Sequence, residues 1–291
     1  MYFCEVNMQK IKVSELFYSI QGEGRYMGVP SVFLRTFGCN FTCGGFGMPK
    51  GQLSNERNVV AANASQYKQY RDLPLVSTGC DSYASWDPNF KHLSPLLETK
   101  AISDAIIDLL PHKRWKAEHL VITGGEPLLG WQRAYPELLE HVNMQPLIEL
   151  TFETNGTQPL TDEFEKYLRE EWVGDIRNGN QLTFSVSPKL SVSGEKWEDA
   201  IKPEIIKQYQ SVGYTYLKFV VASEDDVKEA QEAICEYIDE GFIGPVYIMP
   251  VGGIEFVYSL NNRKVAEMAM ARGWRYSDRL QVPLFKNAWG T

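Results

Sequence analysis

The sequence predicts an α/β fold in which a mainly parallel sheet carries helices on its outside. Two observations predict it: apolar runs rich in β-branched and aromatic residues recur along the chain, and segments of helix length and helix period separate them. Strand followed by helix, repeated about six times, implies parallel pairing, because each helix carries the chain back to start the next strand in the same direction. Such a sheet lies open or curves into a partial barrel, and in either form ligands bind beyond the carboxyl ends of the strands.

The strands are expected at SVFLRT (31–36), HLVIT (119–123), LIELTF (147–152), LTFSVS (182–187), YLKFVV (216–221) and VYIMPV (246–251). Helices are expected over 101–110, 132–142, 162–171, 200–211, 225–239 and 260–271, where apolar residues are spaced by three and four and Asp, Ser or Asn stands near the start. Residues 44–79 break the pattern. They open with GGFGMPKGQ, continue through a polar stretch rich in Asn, Gln and Tyr, and read as an insertion with one short helix near 56–70. The chain as a whole, 1–291, reads as a single domain, since 44% hydrophobic content over that length suffices for one sizeable core.

A formal net charge of -8 argues against a broad basic face for nucleic acid, which depends on many Lys and Arg side chains releasing counterions. A small-molecule substrate fits better. No run of apolar residues is long enough to span a bilayer and the first residues lack the pattern of a signal peptide, so a soluble, cytoplasmic protein with no membrane partner is expected. The cysteines number five, an odd count that makes a disulfide framework the weaker reading and metal binding or catalysis the stronger.

Cys39 and Cys43 are separated by three residues in a Gly-rich turn just past the first strand, close enough to face one metal centre. By itself that spacing is equally a coincidence of two loop cysteines. TGGEPLL at 123–129 follows the next strand; its glycines let backbone approach a ligand and Glu126 supplies a carboxylate for a ligand ammonium group. Alone it is an ordinary strand-to-helix turn. Cys235, within EAICEYI, reads as a buried small apolar residue, Cys4 lies near a terminus, and the histidines at 92, 112, 119 and 141 show no ligand spacing.

Taken together, the two cysteines and the following Gly-Gly-Glu-Pro resemble the radical S-adenosylmethionine (SAM) superfamily, in which three cysteines hold a 4Fe-4S cluster. The usual third cysteine is missing three residues after Cys43, where Phe46 stands. CDSYASW, beginning at Cys80, resembles the end of the cluster motif in the 7-carboxy-7-deazaguanine synthase family, which makes 44–79 an insertion inside the cluster-binding loop. Loop closure grows costlier only logarithmically with length, so Cys80 can still return to the cluster. SELFYSIQGEGRYMGVPSVFLRTFGCN (14–40), ETNGT (153–157), VSPK (186–189) and the closing RLQVPLFKNAWGT resemble the same family in the same order.

The resemblance implies a radical-SAM-like partial (β/α)6 barrel and a lyase that converts 6-carboxy-5,6,7,8-tetrahydropterin to 7-carboxy-7-deazaguanine with loss of ammonia, in queuosine-type or DNA-modifying 7-deazapurine biosynthesis. It implies a 4Fe-4S cluster on Cys39, Cys43 and Cys80, SAM, and Mg2+ on Ser82, which stands where the family has Thr. Ile20, Gln21, Gly22, Glu23, Arg35, Thr154 and Thr291 would hold substrate, with Arg35 on its carboxylate. Gly124, Gly125, Glu126, Gly156, Ser187, Pro188 and Lys189 would hold SAM. A flavodoxin- or ferredoxin-type electron donor and a homodimer are implied as partners. Gly79 replaces the aromatic residue that commonly precedes the third cysteine and covers adenine, so either another residue, such as Phe46 or Tyr83, covers that face or adenine is less enclosed. The rival readings are an activase that makes a glycyl radical on a partner protein, and a zinc-binding interaction module; the latter lacks an obvious fourth ligand.

Overall fold

The computed structural model describes residues 8–174 and 179–291. Its strands are β1 (Lys10–Ile20), β2 (Pro30–Thr36), β3 (Leu96–Glu98), β4 (His119–Gly124), β5 (Glu149–Thr154), β6 (Gln181–Val186), β7 (Tyr214–Val221), β8 (Val246–Pro250) and β9 (Arg275–Tyr276). Its α-helices are α1 (Glu56–Ala61), α2 (Thr99–Leu109), α3 (Tyr135–Glu140), α4 (Asp162–Tyr167), α5 (Trp197–Ala200), α6 (Pro203–Val212), α7 (Glu224–Asp239), α8 (Glu255–Arg272) and α9 (Gln281–Phe285). None of the described helices is long and apolar enough to cross a membrane.

All the strands join one sheet in the order β3-β1-β2-β4-β5-β6-β7-β8-β9. From β2 to β9 every pairing is parallel, as the alternation of strand and helix predicts, whereas β1 runs antiparallel to both its neighbours. The six predicted strands are present with ends moved by a residue or two; β1, β3 and β9 were not anticipated. β1 mixes Lys10, Lys12, Ser14 and Glu15 with its apolar residues, so it carries no continuous apolar run.

Alternation along the strands sorts side chains to two faces. Val32, Leu34, Leu120, Ile122, Leu150, Phe152, Phe184 and Leu217 join the large core shared with the helices. Their neighbours Arg35, Thr123, Glu153, Ser185 and Lys218 line a cavity on the other face. Register keeps them level: Arg35 pairs with Thr123 and Glu153 with Ser185.

Helix ends follow their local sequence. Ser223 and Asp226 form a reciprocal capping box at the start of α7, and α8 stops at Gly273, whose φ of 66° suits glycine. Cys235 corrects its expectation. It is exposed, because Val227, Ala230, Ala233, Ile234 and Tyr237 occupy the buried stripe of α7 and Cys235 falls outside it. Residues 44–79 contain α1 and two single 3-10 turns, and Val60, Ala64, Tyr70, Leu73 and Val76 pack with Tyr83, Ala84 and Phe90 in a small core of their own.

Candidate functional site

A cavity of about 270 Å³ opens where the carboxyl ends of the parallel strands meet the loops that follow them. It receives residues from almost every part of the chain: the end of β1, the cysteine loops, Leu75 and Ser77 of the 44–79 segment, and the C-terminal Asn287–Thr291. Phe17 and Phe33 stack beneath it with ring centroids 4.9 Å apart.

Cys39, Cys43 and Cys80 all line this cavity as free thiols. Local structure explains how two loops converge. Glu195 accepts from the backbone N–H of Thr42 (2.8 Å) and Cys43 (2.7 Å), holding Cys43 in a left-handed conformation at φ 48°, which a side chain other than glycine seldom adopts. The Gly-Gly pair after β4 is required by packing: a Cβ on Gly125 would lie 2.7 Å from Cys39 Cβ and 2.4 Å from the Gly38 carbonyl oxygen. On the third loop, Gly79 has φ 80° and donates to the Phe46 carbonyl at 2.7 Å, tying the end of the 44–79 segment to its beginning. Trp86 Nε1 donates to Cys80 Sγ at 3.4 Å.

Burial is the main reason the three thiols stay protonated. It pushes Cys39 up to about 12, and Cys43 and Cys80 also upward, with the other cysteines and nearby carboxylates adding repulsion. Thiolates here need a cation. Among the described residues, no three His, Cys, Asp or Glu converge as a site for one ion. Three thiols on one cavity are the kind of donor set that an iron-sulfur cluster with one open iron takes, and a closed structural zinc site takes a fourth ligand.

Beside the cysteines runs a buried network of charge. Glu23 accepts from Lys218 Nζ, from Arg279 Nε at 3.3 Å and from Gln281 Nε2 at 2.8 Å. Burial would push this carboxyl up, but Lys218 and then Arg279 outweigh it and hold it down at about 2. Arg279 also binds Asp81, next to the third cysteine. Gln21 bridges Glu153 (3.0 Å) and the Glu23 backbone N–H (3.0 Å). Two buried polar atoms on lining residues, Gln281 Oε1 and Trp289 Nε1, have no partner among the described residues.

Arg35 lines the cavity on β2. The register shift in β1 between Val13 and Glu15 sets Glu15 opposite it, and Arg35 Nε donates to Glu15 at 2.9 Å. Its Nη1 donates to Ser82 Oγ at 3.1 Å.

The cavity thus gathers Ile20, Gln21, Gly22, Glu23, Arg35, Thr154 and Thr291, along with Gly124, Gly125, Ser187, Lys189, Ser82 and the three cysteines. Glu126, Gly156 and Pro188 are buried behind it. The Glu126 carboxylate accepts from Leu128 N–H, Thr154 Oγ1 and Asn155 N–H, and burial raises it to about 7. A Cβ on Gly156 would meet Val186 at 2.6 Å, on the core side. Of the residues expected to cover adenine, Phe46 lines the cavity and Tyr83 is fully buried in the insertion core. Cys4 lies outside the described residues. Lys218, Arg279, Gln281, Glu195 and Trp86 escaped sequence reading. Lys218 left a signal, a lysine inside an otherwise apolar strand, and Trp86, Arg279 and Gln281 stand within CDSYASW and RLQVPLFKNAWGT.

Curated proteins named 7-carboxy-7-deazaguanine synthase are similar along nearly the full chain. The one from Halobacterium salinarum is 29% identical over 96% of this chain and 91% of its own length. That from Pyrobaculum aerophilum is 28% identical over 97% of both chains, and that from Rhodopirellula baltica 28% identical over 96% and 88%. The fold matches the crystal structure of QueE from Escherichia coli at a TM-score of 0.52, covering 92% of this chain and 93% of that one at 21% identity. No protein-family model matches the chain.

Proposed function

We propose that this chain, a relative of the 7-carboxy-7-deazaguanine synthases over nearly its whole length, is an enzyme that converts 6-carboxy-5,6,7,8-tetrahydropterin to 7-carboxy-7-deazaguanine with release of ammonia. The observation that carries the reading is the convergence of Cys39, Cys43 and Cys80 on one cavity shared with Arg35 and the Gln21–Glu23 segment. In this reading the six parallel β/α units form a partial barrel, and 44–79 is an insertion within the cluster-binding loop of a single domain.

Cys39, Cys43 and Cys80 would hold a 4Fe-4S cluster, which with SAM would supply radical chemistry for hydrogen abstraction from the substrate. The chain's own residues bind and orient. Gly124, Gly125, Ser187 and Lys189 form the SAM side of the cavity, with Glu126, Gly156 and Pro188 supporting them from behind. Arg35 presents a planar guanidinium to the substrate carboxylate; its Nη2 has no protein acceptor among the described residues. Gln21, Glu23, Thr154 and the backbone of Ile20 and Gly22 take the heterocycle, with Thr291 closing the cavity. The Lys218–Glu23–Arg279 network keeps Glu23 ionised, so it accepts hydrogen bonds from substrate N–H groups. Mg2+ on Ser82 would take that hydroxyl oxygen in exchange for its contact with Arg35. A soluble homodimer reduced by a flavodoxin or ferredoxin completes the reading.

The test is anaerobic reconstitution with iron and sulfide, metal analysis, and assay of the carboxylated tetrahydropterin with SAM and a reductant. The expected result is a cluster, the deazaguanine product and ammonia in equal amounts. A protein that retains zinc alone, or a loaded cluster that leaves this pterin untouched, would overturn the reading.

A further inference from the structure

Two consecutive residues of α1 grip the chain on both sides of Cys80. Glu56 holds the approach: its carboxylate accepts from Ser77 N–H at 2.6 Å, from the Ser77 hydroxyl and from Thr78 Oγ1 at 2.8 Å. Arg57 holds the exit: it pairs with buried Asp87, and its guanidinium carbon lies 5.0 Å from the centre of the Trp86 ring. That ring is the one whose Nε1 donates to Cys80 Sγ. Asp87 is fixed in turn by Asn89, whose N–H and side-chain amide donate to Oδ1 at 2.9 and 2.8 Å.

The apolar residues of the insertion give this grip a rigid base. Val60, on the same helix, packs into the small core with Tyr70, Tyr83 and Phe90, and Trp86 and Trp289 close its edge. A loop long enough to leave Cys80 wandering is therefore folded into a body that fixes it. The indole N–H is aimed at the thiol sulfur, and hydrogen bonds to ligand sulfurs are one of the levers that set cluster potential. Such a bond stabilises the more electron-rich, reduced state and raises the potential.

We propose that the insertion is a clamp on the third cluster ligand, in which α1 holds Trp86 as a hydrogen-bond donor to Cys80 and thereby raises the reduction potential of the cluster. This deepens the proposed function and rests on its cluster assignment. Trp86 and Arg57 act here as positioning residues, and the readout is electrochemical rather than catalytic.

The experiment is an EPR-monitored dithionite titration of the reconstituted full-length protein, with iron content measured, in wild type, Trp86→Phe and Arg57→Met. Trp86→Phe should shift the one-electron reduction equilibrium about tenfold toward the oxidised cluster, a fall of about 59 mV. Arg57→Met, which keeps an unbranched apolar stem beside the indole, should lower the midpoint by less. An unchanged midpoint in either iron-loaded variant overturns the proposal. Should Trp86→Phe load no cluster, Arg57→Met decides: a lowered midpoint supports the clamp and an unchanged one overturns it. Wild-type protein that forms no cluster would overturn the functional reading itself, and this inference with it.

Discussion

Arg35 and Ser82 are joined directly, with the guanidinium Nη1 3.1 Å from the serine hydroxyl oxygen. The residue proposed for the substrate carboxylate thus also steadies the residue proposed for Mg2+. Arg35→Lys should lose the planar fork and raise the apparent substrate KM, at a cost of about 1.5–3 kcal/mol for a charge-assisted bond. Steady-state kinetics with varied pterin check this, and an unaltered KM would remove Arg35 from the substrate site.

Ser82→Ala separates the two roles of that hydroxyl. If Ser82 ligates the ion, the variant should need more Mg2+ for half-maximal turnover while its substrate KM at saturating Mg2+ stays near that of wild type. Equal Mg2+ dependence in both proteins would leave Ser82 only its bond to Arg35 and its weaker contact to Asp81 at 3.4 Å.

Cys80→Ala should abolish the brown chromophore of the reconstituted protein, and Cys235→Ala should leave iron content unchanged. The contrast follows from position: Cys80 lines the cavity, whereas Cys235 is exposed on α7. Iron and sulfide analysis of both variants checks it. A full cluster in Cys80→Ala would show that the insertion does not return its third cysteine to the site.

The parallel strands and their helices were legible because buried strands read as continuous apolar runs, as HLVIT does at the centre of the sheet. β1 was not, since its polar residues pair with distant segments: Lys10 with Glu98, Lys12 and Ser14 with Ser94, and Glu15 with Arg35. The same reason hid Glu195 and Arg279. Each acts through a backbone or carboxylate brought to it only by the fold; Arg279 opens the RLQVPLFKNAWGT motif, but nothing in that motif names its partners Glu23 and Asp81. Glu126 shows the converse: a motif carboxylate that looked available in sequence is occupied by three hydrogen bonds from its own chain. Cys235 was misplaced because its helical stretch was read without fixing which stripe faces inward.

Arg279→Met should destabilise the protein far more than the loss of any surface pair. Arg279 is largely buried and serves both Glu23 and Asp81, and removing one partner of a buried ion pair costs about 3–5 kcal/mol. Arg263→Met is the control: its pair with Glu267 is exposed on α8, and such pairs contribute about 0–1 kcal/mol. Urea denaturation of both variants measures the difference. Similar midpoints would mean that Lys218 alone compensates Glu23.

His119 should make the fold sensitive to mild acid. It is fully buried on β4, with Nε2 2.8 Å from Thr151 Oγ1 and its ring 4.3 Å from that of Tyr26, and burial lowers it to about 3. An unfolded histidine titrates near 6.5, so below about pH 6.5 the unfolded chain takes up a proton that the native site refuses. The stability present above that pH is therefore lost as pH falls from about 6.5 toward 3, at about 1.4 kcal/mol per unit, with no further loss from this group below the folded value. His119→Gln keeps a hydrogen-bonding side chain but has no proton to gain. Its unfolding free energy, measured by urea denaturation between pH 7 and pH 4, should fall less steeply than that of wild type by about this slope, even if the variant is less stable at pH 7. Parallel pH profiles would show that the buried ring is protonated in the native state, and that the environment of Thr151 and Tyr26 accommodates its charge.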